Sequence, residues 1–125
     1  MEIIEALSRM EVWHKEYNLD KKDNLHNVPD GKAVFGIFAI VNEEPVNCRY
    51  VGETENLRAT VADLFANPPG TGLKKFMQGP WIQMLQYQLL PDSDAAERQK
   101  LAADWAEQYQ PKFDDTGEYP GYYNY

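Results

Sequence analysis

The sequence predicts an α/β (α+β) fold: a small three-stranded antiparallel sheet with flanking helices, in the order α-β-β-α-β-α. Three observations lead there. Residues 33–41, "AVFGIFAIV", form an apolar run rich in branched and aromatic side chains, the composition of a buried strand. "WIQMLQYQLL", residues 81–90, alternates, with Trp81, Leu85, Tyr87 and Leu89 on one side and Gln86 and Gln88 on the other. Between and around these runs lie segments whose apolar residues recur every three or four positions, as one face of a helix requires.

Taken in order, "EIIEALSRMEVWHKEY" places Ile3, Leu7, Met10, Trp13 and Tyr17 at helical steps, which predicts an amphipathic N-terminal helix. A polar stretch follows, with Pro29-Asp30-Gly31 as its turn signal. The strand at 33–41 is turned by "NEEPVN", and "CRYV" returns as its antiparallel partner. Asn56 is a helix cap, and Leu57, Val61, Leu64 and Phe65 form the buried face of the helix it starts. "NPPGTG" ends that helix, and "LKKFMQ" forms a short helical turn before Gly79-Pro80. After the third strand, Asp94 and Glu97 have capping-box spacing for a last helix, from about residue 95 to 109, which Pro111 stops. The tail "DDTGEYPGYYNY" has no period. The chain therefore divides into an N-terminal helix and loop at 1–32, a core domain at 33–115 and an aromatic tail at 116–125.

Composition narrows the function classes. Twenty acidic against twelve basic residues give a net charge of −8, a field that repels polyanions and disfavours nucleic acid as partner. The close basic pairs are Lys21-Lys22 and Lys74-Lys75. No apolar run approaches the roughly 20 residues that span a bilayer, so no membrane role is expected. One cysteine, Cys48, and an acidic start point to a reducing cytoplasm, with the thiol a buried small hydrophobe. His14 and His26 have no cysteine or acid at ligand spacing and read as surface residues, so no metal site is expected.

One set of spacings goes further. Gly36-Ile37-Phe38, eleven residues, Tyr50-Val51-Gly52, then Thr54 and Asn56-Leu57 resemble the GIY-YIG endonuclease superfamily. So does the stretch Tyr109-Gln110-Pro111-Lys112-Phe113-Asp114 at the end of the last helix. The match covers residues 33–115, about two thirds of the chain. It implies a site at the end of the hairpin, with Gly36, Phe38, Tyr50, Gly52, Thr54, Asn56 and Arg58 as its binding residues and Tyr50 as the remaining catalytic group. It also implies what such a site requires: two tyrosines at the scissile phosphate, an arginine on the first helix and a metal-holding glutamate on the last. Phosphodiester hydrolysis needs an activated water and positive charge on the developing oxyanion.

Here the first tyrosine position is Phe38, which has no hydroxyl. The arginine position, three residues after Leu57, is Thr60, and Arg58 lies about 200° around the helix from it. The glutamate position, nine residues before Pro111, is Ala102. The reading is a degenerate member of that superfamily, non-catalytic, without cofactor, acting as a binding or assembly module for a protein partner. Two alternatives stay open. One is a rewired magnesium-dependent nuclease using Tyr50, Glu53 and Lys74 or Lys75. The other is nucleic-acid binding without cleavage. The many aromatics, among them Tyr119, Tyr122 and Tyr123, suit an interface or the protein's own sheet equally.

Overall fold

The computed structural model describes residues 8–17, 20–41, 44–79 and 81–111. The predicted tail at 116–125 lies outside them, as do Ile3 and Leu7 of the predicted N-terminal stripe. Four antiparallel strands form one sheet: β1 (Ser8–Val12), β2 (Ala33–Val41), β3 (Glu44–Thr54) and β4 (Gln83–Leu89), in the spatial order β1-β4-β2-β3. Three helices pack on it: α1 (Leu57–Ala66), α2 (Thr71–Met77) and α3 (Ala95–Tyr109). The mixed α+β class is as expected, but the sheet has four strands rather than three.

The fourth strand is the main correction. Residues 8–12 pair with β4, Ser8 opposite Tyr87 and Val12 opposite Gln83, where a helix was expected. Within this segment Met10 and Val12 turn inward while Arg9 and Glu11 stay exposed. That is period two, and it coexists in the same letters with the three-and-four spacing. β4 would otherwise present an unpaired row of backbone groups, so sheet pairing overrides helical spacing. Asn24 seals the strand's end: its Oδ1 accepts from the Trp13 N–H at 2.8 Å, and its Nδ2 donates to the Glu11 carbonyl at 2.7 Å. A short 3-10 turn, Leu25–Asn27, then leads toward β2.

The hairpin also differs from expectation. β3 is already paired at Glu44, opposite Val41, so most of the predicted turn is strand. Pro45 is tolerated because β3 is an edge strand, where a missing N–H need not interrupt a ladder. The β2–β3 register skips Asn47 and Arg49, placing two bulges opposite Ile37, Phe38 and Ala39.

Alternation along β2 sorts the molecule into layers. Ala33, Phe35, Ile37 and Ala39 join Leu57, Val61, Leu64 and Phe65 of α1, and Leu73, Phe76 and Met77 of α2, in one buried apolar cluster. Val34, Gly36 and Phe38 face the opposite side, which α3 covers. The helix starts match their sequence signals. Asn56 Oδ1 accepts from the Ala59 N–H, and Asp94 and Glu97 form a reciprocal capping box. α3 ends with Gln110 in the left-handed region, φ 53°, just before Pro111.

Candidate functional site

The two glycines of the hairpin have a plain packing role. A Cβ on Gly36 would stand 2.9 Å from Phe38 Cε1, and one on Gly52 would stand 3.0 Å from Tyr50 Cε2 and 3.4 Å from the Phe35 ring. Each glycine is the floor beneath an aromatic ring two residues away in its own strand. A Cβ at either position would have to displace the ring above it, which favours glycine there.

The rings themselves lie on different faces. Tyr50 stands opposite Ile37, packs against the apolar cluster and holds its ring centroid 5.9 Å from that of Phe35. Phe38 is buried on the α3 side, its ring edge-on to Tyr109 at 5.1 Å. Odd and even residues of one strand point opposite ways, so the sheet separates these two sequence-predicted residues.

Thr54, Asn56 and Thr60, by contrast, are brought together. Thr54 Oγ1 accepts from the Asn56 N–H at 2.9 Å and lies 2.6 Å from Thr60 Oγ1. A threonine at position 60 thus closes the strand-to-helix corner. Arg58 turns away: its Nε donates to the Val28 carbonyl at 2.8 Å, and its Nη1 lies 4.0 Å from Asp30. Its work is to tie α1 to the segment before β2. Ala102, on α3, is half-buried.

The strongest polar constellation was not foreseen. Arg98 is 1% exposed although it is a charged residue on a surface helix. Its Nε donates to Glu53 Oε1 at 2.9 Å, its Nη1 to the Ser93 carbonyl and Oγ at 3.0 and 3.1 Å, and its Nη2 lies 3.6 Å from Glu55. A buried guanidinium is tolerable only when so many of its donors are engaged. The pair spans 45 positions in sequence, and no local pattern announces a contact of that separation. Further along α3, Gln86 Nε2 donates to the Tyr109 hydroxyl at 2.9 Å, and Trp105 packs edge-on against the same ring.

Arg49, at a bulge, is also buried, its guanidinium 5.3 Å from the centroid of Phe76 on α2. Beside it, burial pushes the Cys48 thiol up to about 12. The thiolate is the reactive form, so this burial makes Cys48 a poor nucleophile near neutral pH. Lys74 and Lys75 sit exposed on α2, across the sheet from Glu53. Glu53 pairs with Arg98, and one oxygen of exposed Glu97 accepts from the Asp94 N–H in the capping box. Among the described residues, no three of His, Cys, Asp and Glu gather where they could hold a metal ion, and no helix is long and apolar enough to cross a membrane.

No family model, curated protein or solved structure matches this chain.

Proposed function

We propose that this chain is a non-catalytic binding or assembly module with a GIY-YIG-like layout, acting on a protein partner in a reducing compartment. From Ala33 onward the elements run β-β-α-α-β-α, which suits the resemblance, with β1 as an added edge strand.

One observation carries the non-catalytic reading. Arg58 on the first helix of the domain and Arg98 on the last are both committed to holding the fold. Arg58 bonds the Val28 carbonyl, and Arg98 bonds Glu53 and Ser93. A cation that must stabilise a developing oxyanion has to be aimed at substrate before reaction. Releasing Arg98 would leave Glu53 and the Ser93 carbonyl without that partner. The second support is that Phe38 and Tyr50 pack on opposite faces of the sheet, so they do not flank one phosphate. The acidic net charge favours a protein partner over DNA or RNA, and no cofactor enters this reading.

The test is direct. Purified protein is incubated with branched and single-stranded DNA in magnesium or manganese, beside a Tyr50→Phe control. The expected result is no cleavage above the control and no retention of DNA at low salt. Cleavage that Tyr50→Phe abolishes would establish the nuclease alternative. Salt-sensitive binding without cleavage would establish the nucleic-acid alternative.

A further inference from the structure

Where β4 passes into α3, the chain forms a shallow, open depression of about 400 Å³, of the size of ligand sites but open to solvent as a docking surface is. Leu89, Leu90, Pro91 and Leu101 line it with apolar surface, and Asp92 and Glu97 stand at its edge. Leu89 is 42% exposed, a large apolar residue left open at the end of a strand whose Leu85 is fully buried.

The depression is braced before anything enters it. Leu90 N–H bonds the Lys32 carbonyl at 2.8 Å, and the Ser93 N–H and Oγ both bond the Leu90 carbonyl, at 3.1 and 2.7 Å. The Ser93 carbonyl in turn accepts from Arg98 at 3.0 Å and from Lys32 at 3.4 Å. The capping box fixes Asp94 and Glu97 directly after this loop. A loop tied at so many points loses little conformational entropy on binding, and that pre-organisation favours affinity.

Charge then selects the occupant. Asp92, Asp94 and Glu97 are all exposed around one corner. Arg98 is buried on Glu53, and half-buried Lys32, which reaches the Ser93 carbonyl, brings one positive charge against these three carboxylates. Lys100 is exposed on α3 but lies one residue, about 100°, around the helix from Leu101. A phosphate-bearing ligand would meet this carboxylate rim with repulsion. A second copy of this chain brings a net charge of −8 to it.

We propose that this depression docks a protein segment that presents a bulky aliphatic or aromatic side chain next to a lysine or arginine. The apolar side chain enters between Leu89 and Leu101, and the cation pairs with Asp92 and Glu97. This rests on the reading of the chain as a protein-binding module and gives that module its place and its partner chemistry.

The probe is a random dodecapeptide library displayed on phage, panned against the immobilised full chain, followed by synthesis of the consensus peptide. Binding is measured by fluorescence anisotropy on the wild type, on Leu89→Ser and on Asp92→Lys, two exposed positions whose melting curves check that the fold is kept. The expected consensus has Leu, Ile, Met or Phe beside Lys or Arg. Leu89→Ser should weaken binding about tenfold, and Asp92→Lys about three- to tenfold. The wild-type affinity should also fall several-fold from 50 to 500 mM salt. No recoverable peptide, a consensus without basic residues, or binding indifferent to both variants would each overturn the proposal. So would a wild-type dimer that either substitution dissociates, since the occupant would then be a second copy. None of these outcomes bears on the non-catalytic reading, which falls only with DNA cleavage.

Discussion

The two faces of the sheet are built from different materials. On one, α1 and α2 close over Phe35, Ile37 and Leu85 in a mainly apolar layer, into which buried Gln83 donates to the Phe76 and Met77 carbonyls and Arg49 faces the Phe76 ring. On the other, α3 is held by Arg98 against Glu53, by Gln86 against the Tyr109 hydroxyl and by a T-shaped contact between Phe38 and Tyr109. Apolar burial is non-directional: it rewards closeness but accepts many arrangements of similar volume. Charged hydrogen bonds reward one geometry and penalise the rest. The first face therefore supplies most of the drive to fold, and the second fixes where one helix sits. That division also places the directional bonds of Ser93, Asp94, Glu97 and Arg98 at the acidic corner where α3 starts.

The largest expected effect is on the apolar face. Phe35 is fully buried in a central strand, against Tyr50 and over Gly52. Phe35→Ala should cost about 4 kcal/mol in urea unfolding, the transfer loss plus the cavity left behind. A cost below about 2 kcal/mol would mean that this face repacks freely, and the contrast between the faces would lose its basis.

Next comes the polar face. Arg98→Ala empties a buried position and removes the donors to Glu53 and to the Ser93 carbonyl, which keeps only the longer bond from Lys32, and should cost about 3 kcal/mol. Glu53→Gln should cost only about 1 kcal/mol, because the amide oxygen can still accept from Arg98 Nε and Glu55 keeps a carboxylate 3.6 Å from Nη2. Equal costs would show that the pair acts as a simple surface bridge.

A third effect sits between the faces. Gly36→Ala puts a methyl 2.9 Å from Phe38, whose ring is held by Tyr109. The clash should cost about 2 kcal/mol. The double change with Phe38→Leu should recover part of it, and no recovery would place the strain elsewhere. Smaller still, Asp94→Ala removes the α3 cap, for about 1 kcal/mol.

These positions also show what the letters could and could not announce. Caps, stops and central strands were legible because their causes are local. Asn56 and Asp94 have the right oxygen at the right offset, Pro111 cannot continue a helix, and residues 33–41 suit only a buried strand. Residues 8–12 were not, because Met10 satisfies both a helical and an alternating pattern, and an edge opening on β4 decides between them. The glycines at 36 and 52 stood out in the sequence only through the resemblance, because which ring lies on which glycine depends on strand parity and on the Arg49 bulge. Arg98 looked like an ordinary surface residue of α3. Its burial follows from Glu53, 45 positions earlier, and only the assembled sheet brings them within 2.9 Å.

The smallest effect offers the finest test of the contrast. Cys48 pairs with Phe38 across the ladder, on the α3 side, and burial raises its thiol from 9.0 to about 12. Well below pH 9 the thiol is protonated whether the chain is folded or not, so it gives stability no pH dependence there. Between pH 9 and 12 the unfolded chain releases this proton while the folded one keeps it, so stability falls as pH rises through that window. The wild type should accordingly lose more stability than Cys48→Ala from pH 9 to 11, and identical slopes would mean that the thiol is not sheltered. The same sulfur reports which face opens first. Below the unfolding transition, alkylation by iodoacetamide proceeds only from states that expose it. If α3 is held by a few directional contacts rather than by a continuous apolar layer, it can lift while the α1/α2 face stays closed. Cys48 should then be labelled faster than global unfolding allows, and Arg98→Ala should speed labelling by more than Phe35→Ala does at equal loss of global stability. Labelling that follows global stability alone, whichever face carries the substitution, would mean that the two faces open as one.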